Sequence, residues 1–258
     1  MELFSKKRVV AHRGCRGSLP ATIAAGLVVF AATAQASPIA QWTFESTAPT
    51  TAGPFTPEVG AGAASGFHAG SSTYSSPAGN GSTHSFSSTN WAVGDYYQFQ
   101  VSTTGASGLE FIWDQTSSST GPGNYELEYS LTGLAASWVN IEAYNVVPNA
   151  APNPTWSSNP ANYASIYTNT ENLSAISAIN NEPTVFFRLV DLTTTSAGGG
   201  TVGTSGTDRV DNVIVQVVPT PEPSSVVLAT LGVVGVAAVA IRRRQRRDPA
   251  VARLTAAR

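Results

Sequence analysis

Thr184-Val-Phe-Phe-Arg-Leu-Val-Asp191 places Val185, Phe187 and Leu189 on one side and Phe186, Arg188 and Val190 on the other. A period of two is that of a β-strand, whose successive side chains point to opposite faces. The run is aromatic and β-branched, with Pro183 before it and a Thr/Ser/Gly-rich stretch after it, as a strand requires. The same alternation recurs outward in both directions. Ile39–Glu45, Asp95–Val101, Leu109–Asp114, Asn124–Ser130 and Ser137–Glu142 are strand candidates, and Arg209–Val218 carries Val213, Val215 and Val217 on one face. Trp42 and Trp113 fall in this alternation and are expected in the core. Turn-rich stretches separate the runs: 48–66, 75–82, 148–160 with four prolines, and 192–207 around Gly198-Gly199-Gly200. Only 171–181 offers a short helix, through Leu173, Ile176 and Ile179. Short strands between frequent turns predict an all-β fold, an antiparallel β-sandwich over residues 37–218.

The two ends read differently. Lys6, Lys7, Arg8, Arg13 and Arg16 precede an apolar run from Leu19 to Ala32, then Ala34-Gln35-Ala36. That order is a secretory signal peptide over residues 1–36, cut by signal peptidase before Ser37. Near the other end stands Pro221-Glu222-Pro223, then a small and apolar run, then Arg242-Arg243-Arg244-Gln245-Arg246-Arg247. A helix over 224–241 would be about 27 Å long at 1.5 Å per residue, enough to span a hydrocarbon core. The arginines hold their side in the cytoplasm, with a basic tail at 248–258, so the domain faces outward.

Charge follows the same partition. The whole chain of 258 residues has a formal charge of −2. Residues 37–221 hold thirteen Asp/Glu against Arg188 and Arg209 alone, a net of −11, and no lysine. Nucleic-acid binding needs a basic surface and is excluded there. Cys15 is the one cysteine and lies in the signal segment, so thiol catalysis, disulfides and cysteine-ligated metals are excluded from the mature chain.

The ordered tail of Pro221-Glu222-Pro223, apolar span and arginine cluster (219–247) resembles the PEP-CTERM sorting signal of exported Gram-negative proteins. The resemblance implies recognition and cleavage by an exosortase-type enzyme. Gln41-Trp-Thr-Phe-Glu45, Tyr125-Glu-Leu-Glu-Tyr129 and Asp208-Arg-Val-Asp211 look like the laminin-G or jelly-roll-like domains that accompany such tails. A jelly roll with adjacent first and last strands is the expected architecture. The implied role is structural or adhesive, at the cell surface or in an extracellular polysaccharide matrix. A calcium-stabilised carbohydrate-binding module is the alternative, and a glycoside hydrolase the third reading.

Three constellations bear on those readings. If the first and last strands pair, the oxygens of Glu45, Asp208, Asp211 and Asn212 converge as hard ligands for Ca²⁺. The set resembles the structural calcium site of carbohydrate-binding jelly rolls. Trp91 and Trp156 lie near turn-rich sequence and are the tryptophans expected at the surface, where an indole face suits a sugar ring. Glu126 and Glu128 alternate on one strand, about 7 Å apart on one face. Paired carboxylates suit acid/base chemistry, but a laminarinase-like third carboxylate is replaced by Ser130. His68 and His84 are the only histidines of the domain, and no G-x-S-x-G elbow accompanies them.

Overall fold

The computed structural model describes residues 36–218 and 232–243. The expected signal peptide with Ala34, the sorting triplet Pro221-Glu222-Pro223, the first half of the expected 224–241 helix and Arg244, Arg246 and Arg247 lie outside the described residues. The chain divides into two units, Ala34–Pro221 on one side and Met1–Thr33 with Glu222–Arg258 on the other.

The larger unit is an antiparallel sandwich of twelve strands. The strands are β1 (Ser37–Trp42), β2 (Val59–Gly60), β3 (Gly62–Phe67), β4 (Tyr74–Ser75), β5 (Phe86–Thr89) and β6 (Tyr96–Val101). They continue as β7 (Leu109–Ser117), β8 (Asn124–Ser130), β9 (Val139–Asn145), β10 (Thr168–Asn172), β11 (Val185–Asp191) and β12 (Thr207–Val217). One sheet has seven strands in the path β10-β7-β12-β1-β2, with β5 also on β12 and β4 on β5. The other has five, in the order β3-β6-β11-β8-β9. The first and last strands pair in antiparallel register from Ser37↔Val217 to Trp42↔Val213.

The alternation read from the sequence sets the two inner faces. Val185, Phe187 and Leu189 are fully buried, as are Tyr97 and Phe99 on β6 and Tyr125 and Leu127 on β8. Ala40, Trp42, Leu109, Phe111, Val213 and Val215 meet them from the larger sheet. Aromatic contacts run from sheet to sheet: Trp42–Phe99 at 5.3 Å, Phe99–Phe111 at 5.9 Å and Phe111–Phe187 at 5.0 Å between ring centroids. Edge-to-face and tilted geometries of this kind add to plain area burial.

Two backbone features place the polar residues discussed below. β1 stops at Trp42, and Phe44 adopts a left-handed φ of 57°, which turns its ring back onto Phe55 and Phe86. In β12 the pairing with β7 shifts between Asp211 and Ile214, and Asn212 has φ 47°. The bulge lets Val210 and Val213 both point into the core, and it leaves Asp211 on the opposite face of the sheet from Val213.

The helix expected at 171–181 is absent. β10 runs through Asn172, and 3₁₀-type bonds follow, from the Ile176 amide to Leu173 and from the Ile179 amide to Ile176. Leu173 and Ile179 are still buried. In the smaller unit, residues 232–243 form a helix that includes Arg242 and Arg243. Among the described residues no helix is long and apolar enough to cross a membrane.

Candidate functional site

The outer face of the five-stranded sheet is set by register. One row across it reads Ser65, Gln98, Arg188, Glu128 and Asn140; the next reads Phe67, Tyr96, Val190, Glu126 and Ala143. These positions alternate with the buried ones, so the side chains stand on the side away from the core.

Arg188 is the centre of this face. Its guanidinium lies 3.7 Å from the Tyr96 ring centroid and 3.6 Å from that of Trp138. Phe67 stacks on Tyr96 with centroids 5.0 Å apart and planes 16° from parallel. Phe67 and Arg188 reach Tyr96 from the strands on either side of it, so the pile crosses the sheet as ring, ring, cation, ring. Arg188 Nε donates to Gln98 Oε1 at 2.9 Å and Nη2 donates to the Tyr96 hydroxyl at 2.9 Å. Nη1 has no hydrogen bond among the described residues.

Glu128 pairs in register with Arg188, and Glu126 with Val190. Burial pushes the Glu128 carboxyl above its ordinary value, the Glu126 charge adds to this, and Arg188 opposes it. No ion pair joins Glu128 to Arg188 among the described residues. The surface therefore presents unused N–H donors beside two half-exposed carboxylate acceptors. Because the stacked rings cover one another's faces, it presents polar edges rather than a broad aromatic platform.

The four oxygens expected to converge do not form one set. Asp208 points into the core, where Gln115 Nε2 donates to Oδ1 at 3.1 Å and Ser117 Oγ to Oδ2 at 2.8 Å. Burial holds its carboxyl well above the ordinary range. Asp211, on the opposite face beside the bulge, accepts from the Asn80 amide at 2.9 Å and from Ser82 Oγ at 2.5 Å, both through Oδ2. Its Oδ1 is buried and has no partner among the described residues. Burial raises the Asp211 carboxyl to about 8, with the neighbouring Asp114 adding to the shift. Asn212 donates to Asp114 Oδ2 and to the Asn80 carbonyl. Glu45 accepts the His84 amide at 2.7 Å, and the His84 carbonyl accepts from Ser82, so Glu45 and Asp211 flank the same 80–84 segment. Asp114 and Asn80, which the sequence reading passed over, complete the cluster around Asp211. Nothing in the sequence pairs Asp114 with Asp211; their register across β7 and β12 does. Among the described residues no three His, Cys, Asp or Glu side chains group as metal ligands.

The two tryptophans expected at the surface are inside. Trp91 is 6% exposed and packs on His68, Tyr97 and Tyr125. Trp156 is 4% exposed and donates from Nε1 to the Ala78 carbonyl at 2.7 Å. Turn-rich neighbours place an indole near loops, but here the loops close over it. Trp138, which the reading left aside, is the tryptophan on the sheet face.

The fold also assembles Ser88, His68 and Asp95. His68 Nδ1 meets Asp95 Oδ2 at 2.8 Å and Nε2 meets Ser88 Oγ at 2.9 Å. This has the outline of a nucleophile, base and orienting acid. Ser88 and Asp95 are fully buried, and Asp95 also accepts the amides of Ala69 and Ala92. Buried in this way, the constellation ties β5 of one sheet to the start of β6 in the other.

Residues 219–244 match the PEP-CTERM protein-sorting motif. The chain carries that sorting signal. A PEP-CTERM signal implies export, a membrane-held intermediate and processing by exosortase. Solved structures resemble the folded unit at low identity. The K2 cleaved adhesin domain of Lys-gingipain is 16% identical, with 68% of this chain and 96% of that chain covered and a TM-score of 0.39. The K1 domain of the same protein from Porphyromonas gingivalis W83 is 14% identical, with 60% and 90% covered and a TM-score of 0.37. The CBM22-1–GH10 modules of Clostridium thermocellum xylanase 10B are 11% identical, with 71% of this chain but only 29% of that one covered and a TM-score of 0.41. These likenesses concern fold alone. No curated protein matches the sequence.

Proposed function

We propose that this PEP-CTERM chain is an adhesive surface protein whose sandwich holds neutral polysaccharide on the outer face of the five-stranded sheet. The observation that carries this reading is the Arg188 stack, with an unused guanidinium edge beside Glu126 and Glu128. Vicinal sugar hydroxyls accept from such a fork and donate to such carboxylates, and Gln98 offers both roles. An anionic glycan meets the two glutamates and a domain charge of −11 over residues 37–221, which disfavours it.

Retention on insoluble exopolysaccharide from the producing cells tests the reading. The wild-type chain is retained and Arg188→Ala is retained more weakly, while Arg188→Lys falls between, because an ammonium cannot replace a stacked planar fork. Equal retention of wild type and Arg188→Ala refutes the site.

The tail completes the role. Residues 224–241 are read as a transient membrane helix, with Arg242–Arg247 as its cytoplasmic stop and Pro221-Glu222-Pro223 as the segment where exosortase releases the domain to the surface or matrix. A stabilising calcium ion fits part of the expected ligand set. The buried Asp211 Oδ1, which has no partner among the described residues, suits a hard cation, supplemented by carbonyls and water. Asp208 does not belong to that set. Hydrolysis stays the third reading, resting on Glu126 and Glu128 alone.

A further inference from the structure

The connection from β9 to β10 spans residues 146–167 and is built unlike the other loops. It has its own small core of Trp156, Ala164 and Tyr167, with Val147 packed against it. Trp156 is tied to Ala78, the Tyr167 hydroxyl donates to the Pro154 carbonyl, and the Gly81 amide donates to Ser157 at 2.7 Å. Asn80 holds both the amide and the carbonyl of Ala164. Fixing so long a connection costs about 1–2 kcal/mol of backbone entropy per residue. Long ordered loops of this kind commonly carry function.

What the ordering creates is a groove of about 590 Å³, lined by Pro154, Thr155, Asn162, Tyr163, Ser165 and Ile166. Tyr163 and Ile166 are each 48% exposed. The Tyr163 hydroxyl donates to Asp114 Oδ1 at 3.2 Å and is bonded to Thr168 Oγ1 at 2.6 Å, so the ring is held before any ligand arrives. A fixed aromatic face, a proline and an isoleucine beside Thr, Asn and Ser side chains match the alternating apolar faces and hydroxyls of a sugar.

The groove also lies further along β7 than the end where both termini of the domain leave. Ser37 pairs with Val217, and the Val218 amide bonds to Gly108, so both ends of the domain leave beside Leu109. Asp114, under Tyr163, lies five residues further along β7, about 17 Å at ~3.4 Å per residue.

We propose that this groove is a second saccharide site, separate from the sheet face and further along β7 than the end where the termini leave. Glycan engaged at both places would be cross-linked by one molecule, which deepens the adhesive reading and rests on it only for the class of ligand.

The test is amide NMR of residues 37–258 in detergent, titrated with oligosaccharides released from the producing cells' own exopolysaccharide. Shifts are expected at Thr155, Asn162 and Ser165, saturating together. Tyr163→Ala weakens this binding about tenfold, the loss of one stacking face. Ile166→Ala, at an exposed position, weakens it severalfold without touching the Asp114 bond. Tyr163→Phe keeps the face and stays within about threefold of wild type, and Arg188→Ala leaves the groove affinity unchanged. Shifts confined to the five-stranded sheet overturn the groove and leave the sheet reading standing. Shifts confined to the groove do the reverse, and shifts at neither overturn both.

Discussion

In chelator, the melting temperature of the chain falls between pH 5 and pH 8, and Asp211→Asn reduces that fall by about 10 °C. Asp211 has an ordinary value of 3.8 and is raised to about 8 by burial in the fold. Between those values the folded state holds a proton that the unfolded state has released. Its stabilising share is therefore complete below about pH 4 and is lost as pH rises toward 8. At ~1.4 kcal/mol per pH unit, this amounts to several kcal/mol, and each one moves the midpoint of a domain this size by about 2–4 °C. Asp191, raised by burial to about 6, acts in the same sense over a lower window. His68 acts in the opposite sense. Burial lowers its value below 6.5, so its share is complete above 6.5 and is lost as pH falls through the lowered value. The Asp211→Asn difference isolates one group from the others. If calcium sits on Asp211 Oδ1, millimolar Ca²⁺ lifts the wild-type midpoint at pH 8 and leaves Asp211→Asn unmoved. Identical wild-type curves with and without Ca²⁺ remove the cation and leave the proton linkage intact.

Trp42→Ala is expected to lower stability by about 3–5 kcal/mol, a large part of a typical domain's 5–15 kcal/mol. Trp42 is fully buried, lies edge-on to Phe99 and donates from Nε1 to the Phe55 carbonyl at 3.1 Å. That bond ties β1 to the segment leading into β2. A Cβ on Gly62 would stand 3.0 Å from the indole, so the opposite strand is moulded to this ring and cannot collapse into the hole. Trp42→Phe keeps most of the apolar contact and loses only the indole bond, because the Phe55 carbonyl still accepts the Ala64 amide, at about 0.5–1.5 kcal/mol. Urea unfolding of the three chains gives the order wild type, Trp42→Phe, Trp42→Ala. A Trp42→Ala midpoint equal to wild type would contradict the packing described.

The sandwich was legible where large apolar residues alternate. β6, β7, β8, β11 and β12 fall within a few residues of the runs that announced them, and the pairing of first and last strands follows from them. β3 was hidden because its residues are small for a packing reason: at Gly62 a Cβ would lie 2.3 Å from the Gln100 carbonyl. β5 was hidden because Ser87 and Ser88 are buried through hydrogen bonds rather than apolar contact. The spacing of Leu173, Ile176 and Ile179 is a period of three, and it is satisfied by 3₁₀ turns, whose side chains align at that interval. The candidate site was legible in part. Glu126 and Glu128 were placed on one face of their strand, and Arg188 on the side of its strand opposite Val185, Phe187 and Leu189. Their meeting, and the capture of Arg188 between Tyr96 and Trp138, depends on cross-strand register. The same holds for Asp211, whose meeting with Asp114 is set by register across β7 and β12.

The charge of −11 over 37–221 belongs to the exported domain, and the basic ends to the segments removed from it. Intact-mass measurement of the native protein, taken from cytoplasmic, membrane, exopolysaccharide and medium fractions, tests that account most directly. The predicted species begins at Ser37, lacks Arg242–Arg258 and is recovered with the exopolysaccharide. Retention of Arg242–Arg258 in every mature species, or its absence from the exopolysaccharide fraction, would contradict it.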